Sequence, residues 1–337
     1  MDEVIELIKA IPSAIQGVVS YFSKPDQRIF WLYLISSFMI AALLFVSASK
    51  KMGESSSIRN FVRYCFPREI WKHPSSRLDL RFFVVGQTIH ILLFTWLSGL
   101  LLLIYGWSWN ASLDLFGSVE WIRMGQQPSL LGILLMALLT ALITDFVLYC
   151  MHNLQHRWSF LWEFHKVHHS ATVMHPLTNY REHIFDNLLY VPVVTFTSGF
   201  VGGFLQCWYP GNEKLQFYIL GVPLVSFIYN FFGYNLRHSH IWLAWPPVLG
   251  RIFGSPANHQ IHHSAESRHM NKNFGFIFAT WDWLFGTLYL PPKEKEEFSF
   301  GLADGNNDEY SSIARLYGLP FVRLYEKYAP KRLVRGS

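Results

Sequence analysis

Long apolar runs dominate the hydrophobic and polar pattern of the chain. Three are clear: Ile29 to Ser47, Phe82 to Tyr105, and Ser129 to Met151. Each can cross a bilayer as a helix, because about 20 residues at 1.5 Å rise cover the roughly 30 Å hydrocarbon core. Two weaker runs, Leu188 to Leu205 and Gln216 to Tyr234, are interrupted by Gly and Pro and read as a tilted or re-entrant pair. Ahead of them, residues 1–27 open with Asp2, Glu3 and Glu6. This start predicts an interfacial amphipathic helix broken at Pro12 rather than a cleavable signal peptide. The run GFVGGF, Gly199 to Phe204, predicts close helix packing inside the membrane. The pattern as a whole predicts an all-α fold, a polytopic membrane helical bundle.

Composition strengthens that expectation. Charged residues make up 15% of the chain, against roughly 25% in soluble domains, while 51% is hydrophobic and 17% aromatic. The mean hydropathy is +0.20. A net charge of +5 raises the question of nucleic acid, but the basic residues form no stripe interleaved with polar ones. They mark topology instead. Lys50, Lys51, Arg59, Arg63, Arg68, Lys72, Arg77 and Arg81 follow the first run, whereas Gly106 to Gln127 carries only Arg123, so the first loop reads as cytoplasmic. Counting onward through five spans returns residues 152–187, and everything after Asn235, to that same side. Cys65, Cys150 and Cys207 are scattered and odd in number, which fits neither a disulfide framework nor a thiolate metal site.

The chemistry lies in the histidines. Of 15, all except His73 and His90 fall between residues 152 and 269. They cluster as His152 and His156, then His165, His168 and His169, then His259, His262 and His263. On a helix, positions i, i+3 and i+4 share one face, so the spacing lets each cluster aim its imidazoles at one point. Eight imidazoles held together cannot all be charged, since two unit charges 4 Å apart repel by about 4 kcal/mol at an effective dielectric of 20. Neutral rings have lone pairs that a metal satisfies, and eight overfill one site, which suggests two metals. His90, inside the second run, reads as a satisfied core residue.

The pattern also excludes chemistry. A zinc protease helix needs Glu beside its first His, and Asn153 and Gln260 stand there. No Rossmann glycine fingerprint or P-loop is present. The competing class is a non-enzymatic membrane protein that binds or transports metal or haem. A transporter would place its polar residues mid-span, and a haem protein leaves the H-x-x-H-H repeats unexplained.

Taken together, TDFVLYCMHNLQHRWSFLWEFHKVHHS, NYREH, RHSH, ANHQIHH and NFGFIFATWDWLFGT resemble the fatty acid hydroxylase superfamily, also called the sterol desaturase family, over roughly residues 130 to 290. The resemblance implies a helical integral membrane enzyme with two non-haem iron ions, for which zinc can substitute in a purified sample. Such an enzyme uses O2 to hydroxylate or desaturate a membrane lipid, whether sterol, fatty acyl or ether lipid. An electron donor of cytochrome b5, ferredoxin or reductase type is implied as partner. The resemblance carries the metal-ligand role onto His152, His156, His165, His168, His169, His259, His262 and His263, and onto His183 and His238 as further ligands. Two departures stand out: Ile184 follows His183 where the family has Pro, and His240 follows Ser239 where it has Asn or Gly, which leaves His238 and His240 as rival ligands. His175 and His269 are divided between roles behind the ligands and surface positions.

Asp145 lies seven residues before His152, nearly on the same helix face, and is expected to orient a ligand imidazole; Asp282, between Trp281 and Trp283, is expected to do so for the third cluster. Trp158, Phe160, Trp162, Trp281, Trp283 and Phe285 fit an interfacial belt. The expected organisation is one membrane-embedded catalytic domain, residues 1–290, with first boxes at 145–187, the last at 235–290 and a cytoplasmic histidine-rich helical cap. A cytoplasmic C-terminal extension, residues 291–337, follows. The expected location is a bacterial inner membrane or an endoplasmic reticulum.

Overall fold

Apolar runs become long helices here, and the polar loops between them become a cap of short ones. The structure, a computed structural model, describes residues 2–120, 128–210 and 218–329, with side chains from residue 9 onward. The N-terminal half holds α1 (Asp2–Val19), α2 (Trp31–Met52), α3 (Ile58–Cys65), α4 (Arg68–Trp71), α5 (Pro74–Trp96) and α6 (Ser98–Phe116). Then come α7 (Leu130–Arg157), α8 (Ser159–His169) and α9 (Ile184–Trp208), followed by a hairpin of β1 (Tyr218–Ile219) and β2 (Val222–Pro223). The chain ends with α10 (Leu224–Phe231), α11 (Pro247–Gly250), α12 (Pro256–His262), α13 (Thr280–Leu284) and α14 (Ile313–Tyr328).

Among the described residues, α2, α5, α7 and α9 are long and apolar enough to cross a membrane. Their exposure is inside out: Leu43 of α2 is 73% exposed and Leu131 of α7 66%, while Ser36 of α2 is 4% exposed. Burying polar groups while presenting Leu outward is costly in water and favourable in lipid. The protein is therefore an all-α polytopic membrane bundle under a histidine-rich cap.

Three sequence expectations change. The run from Phe82 to Tyr105 is two helices, not one, because the chain turns at Leu97, whose N–H bonds back to Leu93 and Thr95 ahead of the Ser98–Gly99 pair. The run from Gln216 to Tyr234 is not a span. Its first two residues lie outside the described residues; the rest turns at Leu220 and Gly221, both at positive φ, and leaves α10 only 8 residues. That helix is about 12 Å long, far short of the hydrocarbon core. The five-span count therefore lacks its fifth member, and Arg123, used in the same count, also lies outside the described residues. Finally, α1 is not broken at Pro12 but runs through it. Its Val18, with Tyr21 just beyond, packs on Phe83 of α5 and Tyr180.

One packing feature closes the bundle and another holds the cap on it. At α6 and α9 the GFVGGF glycines permit close contact: a Cβ on Gly203 would stand 2.5 Å from the Trp109 carbonyl oxygen. Under the cap, Leu78 and Phe82 of α5, Val167 of α8, and Leu302, Tyr310 and Leu316 form one apolar cluster. Residues of the expected C-terminal extension thus pack directly behind the second histidine box. Beside them Arg181, 2% exposed, bonds Asp79 at 3.0 Å and the Tyr310 carbonyl at 3.1 Å.

Candidate metal centre

Nine histidines gather into two groups. His152 and His156 from α7, His165 and His169 from α8, and His262 from α12 form the first; His168, His238, His259 and His263 form the second. Within each group the donor atoms lie within 4.8 Å of one another. Helix geometry accounts for the division. At about 100° per residue, positions i and i+4 point nearly the same way, whereas i+3 and i+4 diverge by about 100°. Each H-x-x-H-H box therefore serves two foci rather than one, which corrects the sequence expectation. The second box gives His165 and His169 to the first group and His168 to the second; the third gives His259 and His263 to the second group and His262 to the first.

Local sequence sets these positions. In α8, Val167 packs into the apolar cluster with Leu78 and Phe82 and so seats the helix that carries the second box. In α12, Ser255 caps the helix by accepting from the Asn258 N–H, and Pro256 occupies the first turn. Gln260 of α12 donates to the Leu236 and Ile241 carbonyls at 3.0 and 2.9 Å, which pins the segment carrying His238 against the third box.

Burial favours the neutral form of the cap rings. Burial pushes His165 down to about 4. His168, His169, His238, His259, His262 and His263 fall well below the ordinary histidine value, through burial first and neighbouring rings or Arg237 next. Several buried ring nitrogens have no hydrogen-bond partner, among them Nε2 of His156, His165, His169 and His262. In the second group the Nε2 atoms of His238, His259 and His263 face each other at 3.0 and 3.1 Å, with His168 Nε2 3.4 Å from His238. A shell with metal–nitrogen bonds of about 2.1 Å has edges of about 3.0 to 3.4 Å, so the donors fit a metal ion.

Groups behind the rings fix their orientation. His152 Nδ1 donates to the Phe274 carbonyl at 2.9 Å and His262 Nδ1 to the Lys272 carbonyl at 2.8 Å, which leaves each Nε2 lone pair free. Those carbonyls belong to a loop in which Asn271 and Asn273 adopt positive φ, a conformation Asn tolerates well. Asp282 accepts from the Phe274 and Gly275 N–H groups, both at 2.8 Å, and burial raises its pKa. Asp145 accepts from the Ile277 and Phe278 N–H groups at 2.7 and 3.0 Å. Neither carboxylate bonds an imidazole, contrary to expectation; together they hold the loop whose carbonyls do.

The remaining candidates separate cleanly. His183 stands outside both groups: its Nδ1 caps α9 by accepting from the Phe185 N–H, and its Nε2 donates to the Tyr317 carbonyl at 3.2 Å. Both nitrogens being engaged, the ligand role carried over to it is not supported. His238 joins the second group, whereas His240 donates to the Tyr64 carbonyl at 2.6 Å. His175 lies 3.2 Å from Asp79, and His269 bonds Ser264 at 2.8 Å.

Four contributors escaped the sequence reading. Tyr190 donates to Gln155, Gln155 donates to Asp186 at 2.7 Å, and Asp186 lies 3.7 Å from His165 Nδ1. Arg237, 3% exposed, places its Nη2 2.8 Å from Nδ1 of His259 and donates to the Tyr229 hydroxyl at 2.9 Å. The available signals were the carboxylate in REHIFD and the cation directly before His238. Tyr190 and Tyr229 also line a cavity of about 670 Å³ between α7, α9 and α10.

Fold and site together define an integral membrane helical protein with two buried imidazole groups able to hold metal. Residues 137–287 match the fatty acid hydroxylase family, a match that supports that superfamily for this chain. Among curated proteins it is 30% identical to an ornithine lipid hydroxylase from Rhizobium tropici, over 45% of this chain and 41% of that one. It is 28% identical to a cholesterol 25-hydroxylase from Rattus norvegicus, over 50% of this chain and 52% of that one. It is 24% identical to an alkylglycerol monooxygenase from Caenorhabditis elegans, over 43% and 25%. The matched region thus spans about half or less of each of these relatives. No solved structure matches.

Proposed function

We propose that the protein hydroxylates a C–H bond of a membrane lipid with O2, at two non-haem iron ions held by the two histidine groups. The observation that carries this reading is the division of nine imidazoles, all but the half-buried His156 buried, into groups of five and four within the region that matches this family. His152, His156, His165, His169 and His262 hold one ion; His168, His238, His259 and His263 hold the other. Bound iron supplies O2 activation. One oxygen atom enters the C–H bond and the other leaves as water, with two protons and two electrons from an external donor of cytochrome b5, ferredoxin or reductase type. Removal of two hydrogens, a desaturation, is the other outcome of the same class.

The protein's own groups orient and enclose. Phe274 and Lys272 carbonyls fix the tautomers of His152 and His262, and Asp186 faces His165. The cavity beside Tyr190 and Tyr229 takes the lipid from the bilayer, its chain against Ala137, Ala141, Val191 and Val194. The relatives act on an ornithine lipid, a sterol and an alkylglycerol by name, which supports a lipid substrate for this chain. The basic loop after α2 supports a cytoplasmic position for the cap. Against haem, the rings pack with centroids as close as 4.3 Å for His169 and His263, a spacing too small to admit a porphyrin.

The test is lipid analysis of membranes with and without the protein, seeking a gain of one oxygen atom or a loss of two hydrogens. His262→Ala should abolish the shift. A purified protein with a haem absorption band, or a His262→Ala variant that still made the product, would overturn the proposal.

A further inference from the structure

The large cavity has a direction. It follows α7 from Ala137 to Leu148 and α9 from Asn187 to Ser198. Because α7 runs toward His152 and α9 runs away from Asp186, the end beside Leu148 and Asn187 is the end nearest the metal centre. Between the ends, Ala137, Ala141, Val191 and Val194 line it together with the short hydroxyl side chains Thr140, Thr144, Thr195 and Ser198.

The metal-side end is charged. Asp26, Arg28 and Glu182 line it, on the loop before α2 and the loop before α9. Arg28 donates to Glu182 at 3.1 Å and to the Asn179 carbonyl at 3.4 Å. The pair is partly open, with side chains 34% and 27% exposed, and Asp26 is exposed beside it. Two carboxylates therefore accompany one guanidinium at the mouth of the chamber, whose third lining carboxylate, Asp145, is already taken by the Ile277 and Phe278 N–H groups. A structural ion pair alone has no need of the third charge, nor of a cavity in front of it.

We propose that this chamber takes a zwitterionic membrane lipid, with the cationic nitrogen of its headgroup against Asp26 and Glu182, its anionic oxygen against Arg28, and its chain along α7 and α9. The chemistry excludes the simpler classes. A sterol hydroxyl leaves all three charges unmatched, and an anionic headgroup without nitrogen meets two carboxylates for one guanidinium. The proposal deepens the lipid-oxygenase reading by naming its substrate class, and it rests on that reading only for what happens after binding.

The test is binding by the purified full-length protein in detergent, without O2 or electron donor. Chain-matched lysophosphatidylethanolamine, lysophosphatidylglycerol and cholesterol serve as probes, each followed by native mass spectrometry. The zwitterionic probe should bind about tenfold tighter than the anionic one, and Glu182→Gln and Asp26→Asn, which keep the side-chain shape, should each erode that preference. Arg28→Met should weaken binding of both phospholipids, with thermal unfolding checking that it folds. Equal or tighter binding of lysophosphatidylglycerol or cholesterol, or a preference unchanged in both carboxylate variants, overturns the proposal. Because no turnover is involved, a protein that binds as expected but oxidises no lipid sinks the hydroxylase reading alone. One that oxidises lipid without headgroup preference sinks this proposal alone.

Discussion

Asp282 accepts the Phe274 N–H at 2.8 Å, while the carbonyl of the same Phe274 accepts from His152 Nδ1 at 2.9 Å. One carboxylate thus sets the orientation of a ring it never touches. Asp282→Asn places an amide donor toward the Phe274 or Gly275 N–H and shifts the carbonyl between them. Losses behind a metal ligand cost about 10- to 100-fold in metal affinity, and that is the expected effect, read as metal retained against a graded chelator. Undiminished retention would show that the loop holds its shape without the carboxylate.

His183 and His238 make opposite predictions. His238→Ala should lower bound metal by one ion per chain. His183→Ala should leave the metal count intact and instead cost about 1 kcal/mol of stability by removing a helix cap. Elemental analysis beside thermal unfolding separates the two outcomes, and loss of metal from the His183 variant would restore it as a ligand.

Acid should destabilise the metal-free protein over a defined window. The cap histidines have folded pKa values below the ordinary 6.5, with His165 at about 4. Between those values the unfolded chain binds more protons, so stability is fully present above about pH 6.5 and falls as pH drops toward 4. Thermal unfolding of chelator-treated protein should show a midpoint clearly lower at pH 5 than at pH 7. In the metal-loaded protein the same range should release the ions, because protons compete for the ring nitrogens.

The glycines of α9 are predicted to be unequal to others. Gly203→Ala drives a Cβ to 2.5 Å from the Trp109 carbonyl oxygen, whereas at Gly99 nothing lies within 4 Å of the added atom. Overpacking of this kind costs about 1–3 kcal/mol. The first variant should unfold at lower temperature and the second should not; equal midpoints would mean that α6 and α9 separate freely.

The legible parts of this protein were those with a short-range code. Apolar runs announced α2, α7 and α9, and the i, i+3, i+4 spacing announced eight of the nine gathered histidines. Misreadings arose where distant contacts decide. Nothing near His183 in sequence reveals that Tyr317, on α14, takes its Nε2. Nothing near His240 reveals Tyr64, and only that contact settles which of His238 and His240 faces the metal centre. Asp145 and Asp282 were expected to orient imidazoles, but their partners are chiefly backbone amides, which sequence does not distinguish. The run after Gln216 had the composition of a span without the length of helix, because Leu220, Gly221 and Pro223 bend it first.

The divided boxes have a consequence for how the protein is made. Every histidine of α7 shares its focus with His262, and His168 shares its focus with His259 and His263. A ribosome that has released α7 and α8 has therefore delivered parts of two coordination shells and the whole of neither. The first focus then has four of its five rings, as many as the complete second focus, whereas the second has His168 alone and waits for His238 and α12. Ions bound at the two foci would act as rivets between the middle of the chain and its last third, the second of them closing only late in assembly.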